Sequence, residues 1–493
     1  MDVVSSVLTW IAENIFREVA ILIGLITLVG LLLQRKPFED VVAGALRATV
    51  GVIILFIGID VFVGGLVAFQ TIVASAVGLE PPQAAQSLGD FLTQQGGTIT
   101  LVITVGFLIH VLAVRLLQLR YVYLTGHLMF WISVITTAAL VEVMGPETSQ
   151  VVLVLLGSAI VATYWTIQPL YIAPLMRKVI GSDDWGYGHT SSAACYIAGK
   201  GGRYLGSRKE HDTEKLRMPS KLSFFKDINV STAVVIGTIM LVAMIFADPA
   251  LRSEQAASYA AHPEINPWVW GLVQALRFAG GIAILLFGVR MFLAEIVPAF
   301  KGISDRVIPG SRPALDVPTI FPFAPTAVMI GFLSSTGVFL VLMGVFAAAG
   351  WFVLVPPMIM LFFPGGGAGV FGNAFGGWRG AVLGGAVNGL FLAVGQALTW
   401  GMLSHTAPEL ATLADPDWYI ITWLILFVSN PFAGDFTTLF GWAFVILLGL
   451  GAWAYARRTW VRAPEAPTKA APARPARSRP RAQAQPRSRP RGR

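Results

Sequence analysis

The feature that most constrains this chain is the length of its segments without a positive charge. Residues 48–114, 121–176, 313–378 and 380–456 contain no lysine or arginine. Hydrophobic residues make up 55% of the 493 residues and charged residues 13%, whereas soluble domains carry about 25% charged residues. Because a membrane-spanning helix needs roughly 20 mainly apolar residues, the sequence predicts an integral membrane protein. It excludes a nucleic-acid-binding enzyme, a disulfide-rich secreted domain and a disordered scaffold.

We predict an all-α polytopic membrane protein with about eleven transmembrane helices within a transmembrane domain at residues 1–460. A further apolar run at 418–428 is expected to lie in the interface or to re-enter the bilayer. The spans are expected near residues 19–34, 48–67, 98–117, 124–141, 151–172, 230–247, 268–293, 326–349, 351–363, 381–402 and 436–456.

The distribution of positive charge predicts how the chain is oriented, because cytoplasmic loops are enriched in lysine and arginine. Basic and acidic loops alternate along the chain, and the loop at 178–229 is basic, so we predict that it is cytoplasmic. Residues 457–493 hold 12 lysines and arginines, one glutamate and seven prolines. Such a segment cannot bury enough apolar surface to fold. We therefore expect a disordered basic tail at 461–493 inside the cell and the N-terminus outside.

Two apolar regions are rich in residues that interrupt helices. Six prolines lie within 295–325, and residues 356–380 contain three prolines and a run of glycines. In a bilayer, irregular backbone is tolerated only where protein or a water-filled cavity satisfies its polar groups. Discontinuous helices of this kind often form transporter binding sites near the midplane. We expect discontinuous or re-entrant helices here; loops that only join helices outside the bilayer are the alternative.

A few polar residues in apolar surroundings are candidate ligand contacts, because charge in a bilayer is costly and usually marks function. His127 begins the fourth predicted span, and Trp131 lies on the same helix face. His189 lies in a loop segment of small residues that is expected to fold back toward the membrane. Asp316 is the only charged residue between Pro313 and Trp378. Its carboxylate can accept hydrogen bonds from two hydroxyls, carry a coupling ion, or cap a half-helix.

Other polar residues have simpler explanations. Glu295 is expected to pair with Arg290 within the membrane, and Cys195, the one cysteine, is expected to be a small packing residue. The histidines show no metal-ligand spacing, and no phosphate-binding loop with a Gly-Lys-Ser/Thr ending is present. We therefore expect no cofactor, no metal and no catalytic residue.

Several of these segments together resemble the membrane subunit, enzyme IIC, of the bacterial phosphotransferase-system L-ascorbate transporter. The resemblance spans roughly residues 5–460. The matching stretches are LTGHLMF at 124–130, GYGH at 186–189, GVRMFLAEIVPAFKGISDRVIPG at 288–310, FAPTAV at 323–328 and GVFGNAFGGWRG at 369–380.

The resemblance implies a homodimer in the bacterial inner membrane, with an inverted repeat and with core and scaffold domains that move by an elevator mechanism. It implies that the chain is a transport subunit and not an enzyme, and that separate IIA and IIB components transfer the phosphoryl group. No nucleic acid is implied as a partner. The family's ligand positions carry over to the candidate substrate-binding residues, which are His127, Leu128, Met129, Phe130, His189 and Asp316.

Two residues depart from the family pattern, which has glutamine where this chain has Trp131 and Thr190. We include both in the candidate site. Loss of two amides removes hydrogen-bonding groups for a polyhydroxylated ring, so a less hydroxylated or larger anionic sugar derivative fits as well as L-ascorbate. An ion-coupled secondary transporter that uses Asp316 without phosphotransferase partners, and a sugar-sensing receptor, are the alternative functions.

Overall fold

The computed structural model describes residues 19–216, 227–308, 310–429 and 449. These residues are 79% helical with almost no strand, which confirms the predicted all-α class. The predicted span at 436–456 and the basic tail at 461–493 lie outside the described residues.

The helices are separated by short loops and by three very short strands. In chain order they are α1 (Val19–Leu33), α2 (Phe38–Val77), α3 (Leu88–Leu116), β1 (Tyr121–Tyr123), α4 (Gly126–Met144), α5 (Gln150–Ile180), β2 (Gly186–Tyr187), α6 (Ser192–Leu205), α7 (Arg208–His211), α8 (Ile228–Phe246), α9 (Pro249–Ala257), α10 (Pro267–Val307), β3 (Arg312–Leu315), α11 (Pro325–Ala348), α12 (Met358–Met402), α13 (Leu410–Leu413) and α14 (Pro416–Ser429). A 3-10 segment follows α7 at Thr213–Lys215, and another follows β3 at Val317–Phe323.

Within the described residues, seven helices are long and apolar enough to cross a membrane, and three shorter apolar helices accompany them. This confirms a multi-pass membrane protein. The predicted span at 351–363 is corrected, because residues 351–357 are not helical and α12 begins only at Met358. The apolar run at 418–428 is helical as part of α14.

Helices α2 and α10 pack closely through small residues. A Cβ atom at Gly51, Gly58 or Gly65 of α2 would lie within 3 Å of the backbone of α10. Gly281 and Gly288 of α10 approach α2 equally closely. Close approach through small residues is how helices associate in lipid, where no hydrophobic force drives them together. Helices α1 and α8 pack against this pair.

The expected pairing of Glu295 with Arg290 is wrong. The Glu295 carboxylate accepts from Nε of Arg47 at 2.6 Å, which joins α10 to α2. The pairing within α10 was inferred from proximity in sequence, but residues five apart lie on different sides of a helix, whereas the neighbouring helix presents a guanidinium directly. Arg290 is therefore not held by Glu295.

Helix α12 is a hairpin of two antiparallel helices that meet at one residue. Gly377 has φ 64° and ψ −152°, a conformation essentially restricted to glycine. On either side, a Cβ atom at Gly372 would lie 2.0 Å from the carbonyl oxygen of Gly380, and one at Gly384 would lie 2.3 Å from that of Ala368. The glycine run thus allows the two arms, 358–376 and 378–402, to pack backbone against backbone.

Discontinuous helices are predicted at 356–380, and within α12 the structure has one break, at Gly377. Pro364 lies inside the first arm and cannot donate a hydrogen bond to the carbonyl of Met360. The side-chain amide of Asn388, on the second arm, donates to that carbonyl at 3.1 Å. The same amide donates to Ser335 of α11 at 2.8 Å, so one side chain replaces the missing bond and joins three helical segments.

The described part of the basic region at 178–229 is more than a simple connecting loop. It contains α6, which packs along α12, with Gly202 against Gly376 at the tip of the hairpin. A carboxylate, Asp417, accepts from the backbone N–H of Ser192 at 3.2 Å and of Ala193 at 2.8 Å. Because the first N–H groups of a helix have no partner within it, Asp417 satisfies the N-terminus of α6.

Candidate functional site

A three-stranded parallel sheet brings together the segments that carry the candidate ligand residues. The strand order is β1-β3-β2, with Tyr121 opposite Arg312 and Tyr187 opposite Leu315. β2 and β3 end directly before the segments of His189 and Asp316, and β1 ends four residues before His127. Pairing of three strands that are distant in sequence therefore fixes the relative positions of all three side chains.

The backbone around these strands requires residues of specific size and polarity. A Cβ atom at Gly188 would lie 2.7 Å from the carbonyl oxygen of Ala314, so only glycine allows this approach. The N–H of Gly188 donates to Leu315 at 2.8 Å, and the carbonyl of Gly188 accepts from the hydroxyl of Thr125 at 2.5 Å. These bonds satisfy irregular backbone that packs among membrane-spanning helices.

A cavity of about 460 Å³ opens beside the sheet. Small-molecule sites of roughly 300–1,000 Å³ with mostly apolar walls and a few polar groups are typical. One wall is formed by α10, and the others by α4, the loops after β2 and β3, the start of α12 and the start of α14. The lining residues are His127, Leu128, Trp131, His189, Leu285, Leu286, Val289, Arg290, Ala294, Asp316, Val317, Pro318, Ile359, Met360, Phe363, Pro364, Leu413, Asp415 and Trp418.

The Asp316 carboxylate lies between two imidazoles. Its Oδ2 is 3.6 Å from Nε2 of His127, and its Oδ1 is 3.7 Å from Nε2 of His189. Both distances exceed those of normal hydrogen bonds, so each ring nitrogen can still bond to a ligand placed between them. Oδ1 also accepts from the backbone N–H of Val317 at 2.7 Å. Asp316 therefore caps the following 3-10 segment and faces the cavity at the same time.

The imidazole of His189 is oriented by its own turn. The N–H of Ser191 donates to Nδ1 of His189 at 3.1 Å, which makes Nδ1 an acceptor and assigns the ring proton of the neutral form to Nε2. That proton is directed toward Asp316 and the cavity. The side chain of His189 is 4% exposed, whereas that of His127 is 29% exposed, so His189 is the more rigidly held of the two.

Two tryptophans form an aromatic wall. Trp131 stacks on Trp418 with ring centroids 6.2 Å apart and an interplanar angle of 29°. Both residues line the cavity, and the indole N–H of Trp418 is buried without a hydrogen-bond partner. Such a surface offers contact to the apolar face of a planar solute.

Five of the eight candidate residues line the cavity, and three do not. His127, Leu128, Trp131, His189 and Asp316 form part of the wall. The other three candidates, Met129, Phe130 and Thr190, are buried behind it. The hydroxyl of Thr190 donates to Asp415, and Phe130 packs edge-on against Phe292.

Four polar or aromatic residues of the wall were not predicted as ligand contacts, namely Arg290, Phe363, Asp415 and Trp418. Asp415 Oδ2 lies 3.7 Å from Nδ1 of His189, although the charge pattern predicts that residue 415 lies outside the cell and residue 189 in a cytoplasmic loop. Two segments with opposite predicted sides thus meet at the cavity, so at least one of them enters the bilayer. Among the residues that the structure describes, no carboxylate lies within ion-pair distance of Arg290.

Within the described ranges, no group of three or more histidine, cysteine, aspartate and glutamate side chains has an arrangement that fits a metal ion. Cys195 is buried and lies 3.4 Å from the hydroxyl of Tyr187, in keeping with its expected packing role.

Comparisons with known proteins agree with the resemblance seen in the sequence. The chain is similar to the ascorbate-specific phosphotransferase-system EIIC component of Mycoplasma pneumoniae, with 27% identity over 417 residues. The match covers 75% of this chain and 63% of that relative, so the chain spans less than two thirds of the relative's length. Residues 14–417 match the family model of EIIC-GAT, described as the sugar-specific permease component of the phosphotransferase system. The chain therefore belongs to the EIIC-GAT family of sugar-specific permease components.

Proposed function

We propose that this chain is the membrane permease subunit of a sugar phosphotransferase system and that it moves L-ascorbate or a related sugar acid into the cell. Separate IIA and IIB components phosphorylate the substrate on the cytoplasmic side, so the chain itself is a transport subunit. The observation that carries the proposal is the grouping of His127, His189 and Asp316 on one cavity wall.

The chemistry of the cavity supports an anionic, hydroxylated ring as the substrate. Asp316 accepts hydrogen bonds from hydroxyl groups, and each imidazole donates or accepts one. Arg290 supplies a positive charge for an acidic group. The stacked Trp131 and Trp418 contact the ring face. The aromatic wall replaces hydrogen-bonding groups, so a sugar acid with fewer hydroxyls or a larger apolar part fits as well as L-ascorbate.

The position of the cavity supports an elevator-type movement. One wall comes from α10, which packs mainly with α1, α2 and α8. The opposite walls come from α4, α12, α14 and the strand-linked loops. The first group of helices is therefore α1, α2, α8 and α10, and the second is α4, α12 and α14 with the strand-linked loops. If the second group slides along the first, its polar residues move with the substrate while α10 stays in place. We assign the first group to the scaffold and the second to the transport core, in a homodimer with an outside N-terminus and an inside C-terminus.

Transport coupled to phosphoryl transfer is tested with the purified protein in lipid vesicles. IIA and IIB components from the same genome, with phosphoenolpyruvate and the general phosphotransferase proteins, are added on the cytoplasmic side. We expect radiolabelled L-ascorbate or another sugar acid to accumulate as a phosphate ester, and no accumulation without IIB. Uptake of unmodified solute driven by a proton or sodium gradient alone would instead support an ion-coupled secondary transporter. Binding without uptake under either condition would support a receptor.

A matched pair of variants links the transport result to the cavity. Asp316→Asn removes the carboxylate on the cavity wall, and Asp227→Asn removes an exposed carboxylate that caps α8. We expect accumulation to fall for the first variant and to match the unsubstituted protein for the second. Equal loss in both would show that transport depends on net charge or folding and not on the proposed site.

A further inference from the structure

A second cavity lies at the tip of the α12 hairpin, away from the substrate cavity. Its volume is about 510 Å³. Its wall combines the last turn of α5, the segment around α7 and the end of the first arm of α12. The lining residues are Lys178, Ser207, Arg208, Lys209, Asp212, Lys215, Ala374 and Phe375.

Four cationic side chains and one carboxylate line this cavity. The carboxylate, that of Asp212, is already engaged, because Oδ2 accepts from Nε of Arg208 at 3.2 Å. In the described part of the chain, none of the three lysines has a carboxylate within 4.0 Å. Gathered like charges repel one another unless an anion is bound, so the cavity has an excess of positive charge that the described residues do not neutralise.

Asp212 is held in place by several donors. Burial acts to raise the pKa of the Asp212 carboxyl, but hydrogen bonds from Asn373, from the backbone of Glu214 and from the neighbouring guanidinium lower it below its ordinary value. The carboxylate therefore stays ionised. It fixes the position of Arg208 and is not free to pair with a lysine.

The lysines approach the cavity from separate segments and are held by contacts that leave donors free. Nζ of Lys178 lies 4.4 Å from the centre of the Phe375 ring. Nζ of Lys215 donates to the backbone carbonyl of Lys209 at 2.9 Å. Each ammonium has three donors, so both retain donors for a ligand. Together with Ser207, which also lines the cavity, they form a convergent set for an oxyanion.

The hairpin connects this cavity with the substrate cavity. Phe363 and Pro364 of the first arm line the substrate cavity, whereas Ala374 and Phe375 of the same arm line the basic cavity. At a rise of 1.5 Å per residue, the two positions are roughly 15–20 Å apart along the arm. The charge pattern of residues 178–229 predicts that the basic end faces the cytoplasm.

We propose that the cavity formed by Lys178, Arg208, Lys209 and Lys215 binds the phosphate group of a phosphate ester. Lysine and arginine bind phosphate through charge-assisted hydrogen bonds. Two sources supply this chemistry on the predicted cytoplasmic side. One is the phosphorylated sugar acid, and naming it rests on the proposed function. The other is the headgroup of an anionic lipid. The phosphate site itself does not depend on the proposed function, because its binding is measured without transport.

Direct binding of inorganic phosphate tests the site. The purified protein in phosphatidylcholine nanodiscs is titrated with phosphate at constant ionic strength and followed by phosphorus NMR or calorimetry. The triple variant Lys178→Gln/Lys209→Gln/Lys215→Gln is expected to bind phosphate at least about 10-fold more weakly, because hydrogen bonds to charged groups are stronger than those between neutral groups. The triple Lys→Arg variant at the same positions, which keeps the charges, is expected to retain binding.

A control variant separates the cavity from general electrostatics. Lys36→Gln/Arg115→Gln/Lys200→Gln removes the same charge at positions that do not line this cavity, and we expect it to bind phosphate as the unsubstituted protein does. Equal affinity of the unsubstituted protein and the Lys178/Lys209/Lys215 glutamine variant would overturn the proposal. An equal loss in the control variant would also overturn it.

The lipid environment identifies the source of the phosphate. The titration is repeated in nanodiscs that contain phosphatidylglycerol. If phosphate binding is unchanged, the site takes a soluble phosphate ester, which glucose 6-phosphate then tests as a competing ligand. If phosphatidylglycerol suppresses phosphate binding, and the three-lysine glutamine variant no longer retains that lipid in native mass spectrometry, the site takes a headgroup. Either result supports the phosphate site. A failure to detect sugar-acid transport would count against the proposed function but not against the phosphate site.

Discussion

Replacing Asp316 by asparagine is the sharpest test of the substrate cavity. Asparagine keeps the size of the side chain and an oxygen that can accept from the N–H of Val317, as Oδ1 of Asp316 does at 2.7 Å in the unsubstituted protein. The cap of the 3-10 segment is therefore retained. The negative charge is lost, and with it the acceptor Oδ2 that faces Nε2 of His127 at 3.6 Å.

The size of the effect follows from the exposure of the carboxylate. A hydrogen bond to a charged group contributes about 1.5–3 kcal/mol. The side chain of Asp316 is 32% exposed, so water competes with the ligand and the lower part of that range applies, about 1.5–2 kcal/mol for one ligand hydroxyl. This loss corresponds to binding that is about 10- to 30-fold weaker.

Calorimetric titration of the purified variant with L-ascorbate and with other sugar acids measures this change. Membrane insertion, oligomeric state and melting temperature are recorded in parallel and are expected to match the unsubstituted protein. Asp227→Asn is the matched control, because Asp227 also caps a helix but does not line the cavity. An unchanged dissociation constant for Asp316→Asn, with binding detected in the unsubstituted protein, would remove Asp316 from the site.

Four further substitutions test other parts of the structure. His127→Ala and His189→Ala are both expected to weaken substrate binding in the same titration, but only His189→Ala should also lower the melting temperature, because it leaves the N–H of Ser191 without its 3.1 Å acceptor; equal melting temperatures would contradict this. Trp131→Gln loses stacking on Trp418 worth about 0.5–1.5 kcal/mol and should shift competition toward L-ascorbate; an unchanged preference would show that the aromatic wall does not select the solute. Gly377→Ala should cost about 1–3 kcal/mol, because its Cβ would lie 2.3 Å from the carbonyl oxygen of His211. It should lower the melting temperature, whereas Gly237→Ala, whose Cβ meets no atom within 4 Å, should not.

Most of the described spanning helices and the three central ligand candidates were predictable because their signals are local. Long segments without lysine or arginine identify spanning helices from composition alone. Asp316 is conspicuous because no other charge occurs between residues 313 and 378. His127 and His189 likewise lie in short polar segments with apolar flanks. Such signals require no knowledge of which elements pack together.

The remaining wall residues depend on tertiary structure. Asp415 and Trp418 follow His189 by more than 200 residues, and the charge pattern assigns residues 403–417 to an outside loop. Nothing in their own neighbourhood shows that the start of α14 lies beside the segment of His189. Similarly, Arg290 was expected to be neutralised by Glu295, and only the packing of α2 against α10 shows that Arg47 takes that carboxylate.

The α12 hairpin shows how packing overrides local preference. Glycine and proline disfavour helices in water, so residues 356–380 look like broken backbone. In the folded protein, glycine allows the arms to approach closely, and Asn388 supplies the hydrogen bond that Pro364 cannot make. Both effects depend on residues that pack against this segment. Only at Gly377, with φ 64° and ψ −152°, does the backbone adopt the non-helical conformation that a glycine in the sequence suggests.

Because the parallel strands join the segments of the candidate site, solute binding should change the hydrogen exchange of their backbone amides. A molecule that bridges Asp316 and both rings holds three distant stretches of chain together. The amides of Leu124 and Gly188 donate to Ala314 and Leu315 across these stretches. Their hydrogen exchange with deuterated solvent should therefore slow when the transporter is loaded, so mass spectrometry can report binding and rank solutes without any measurement of flux.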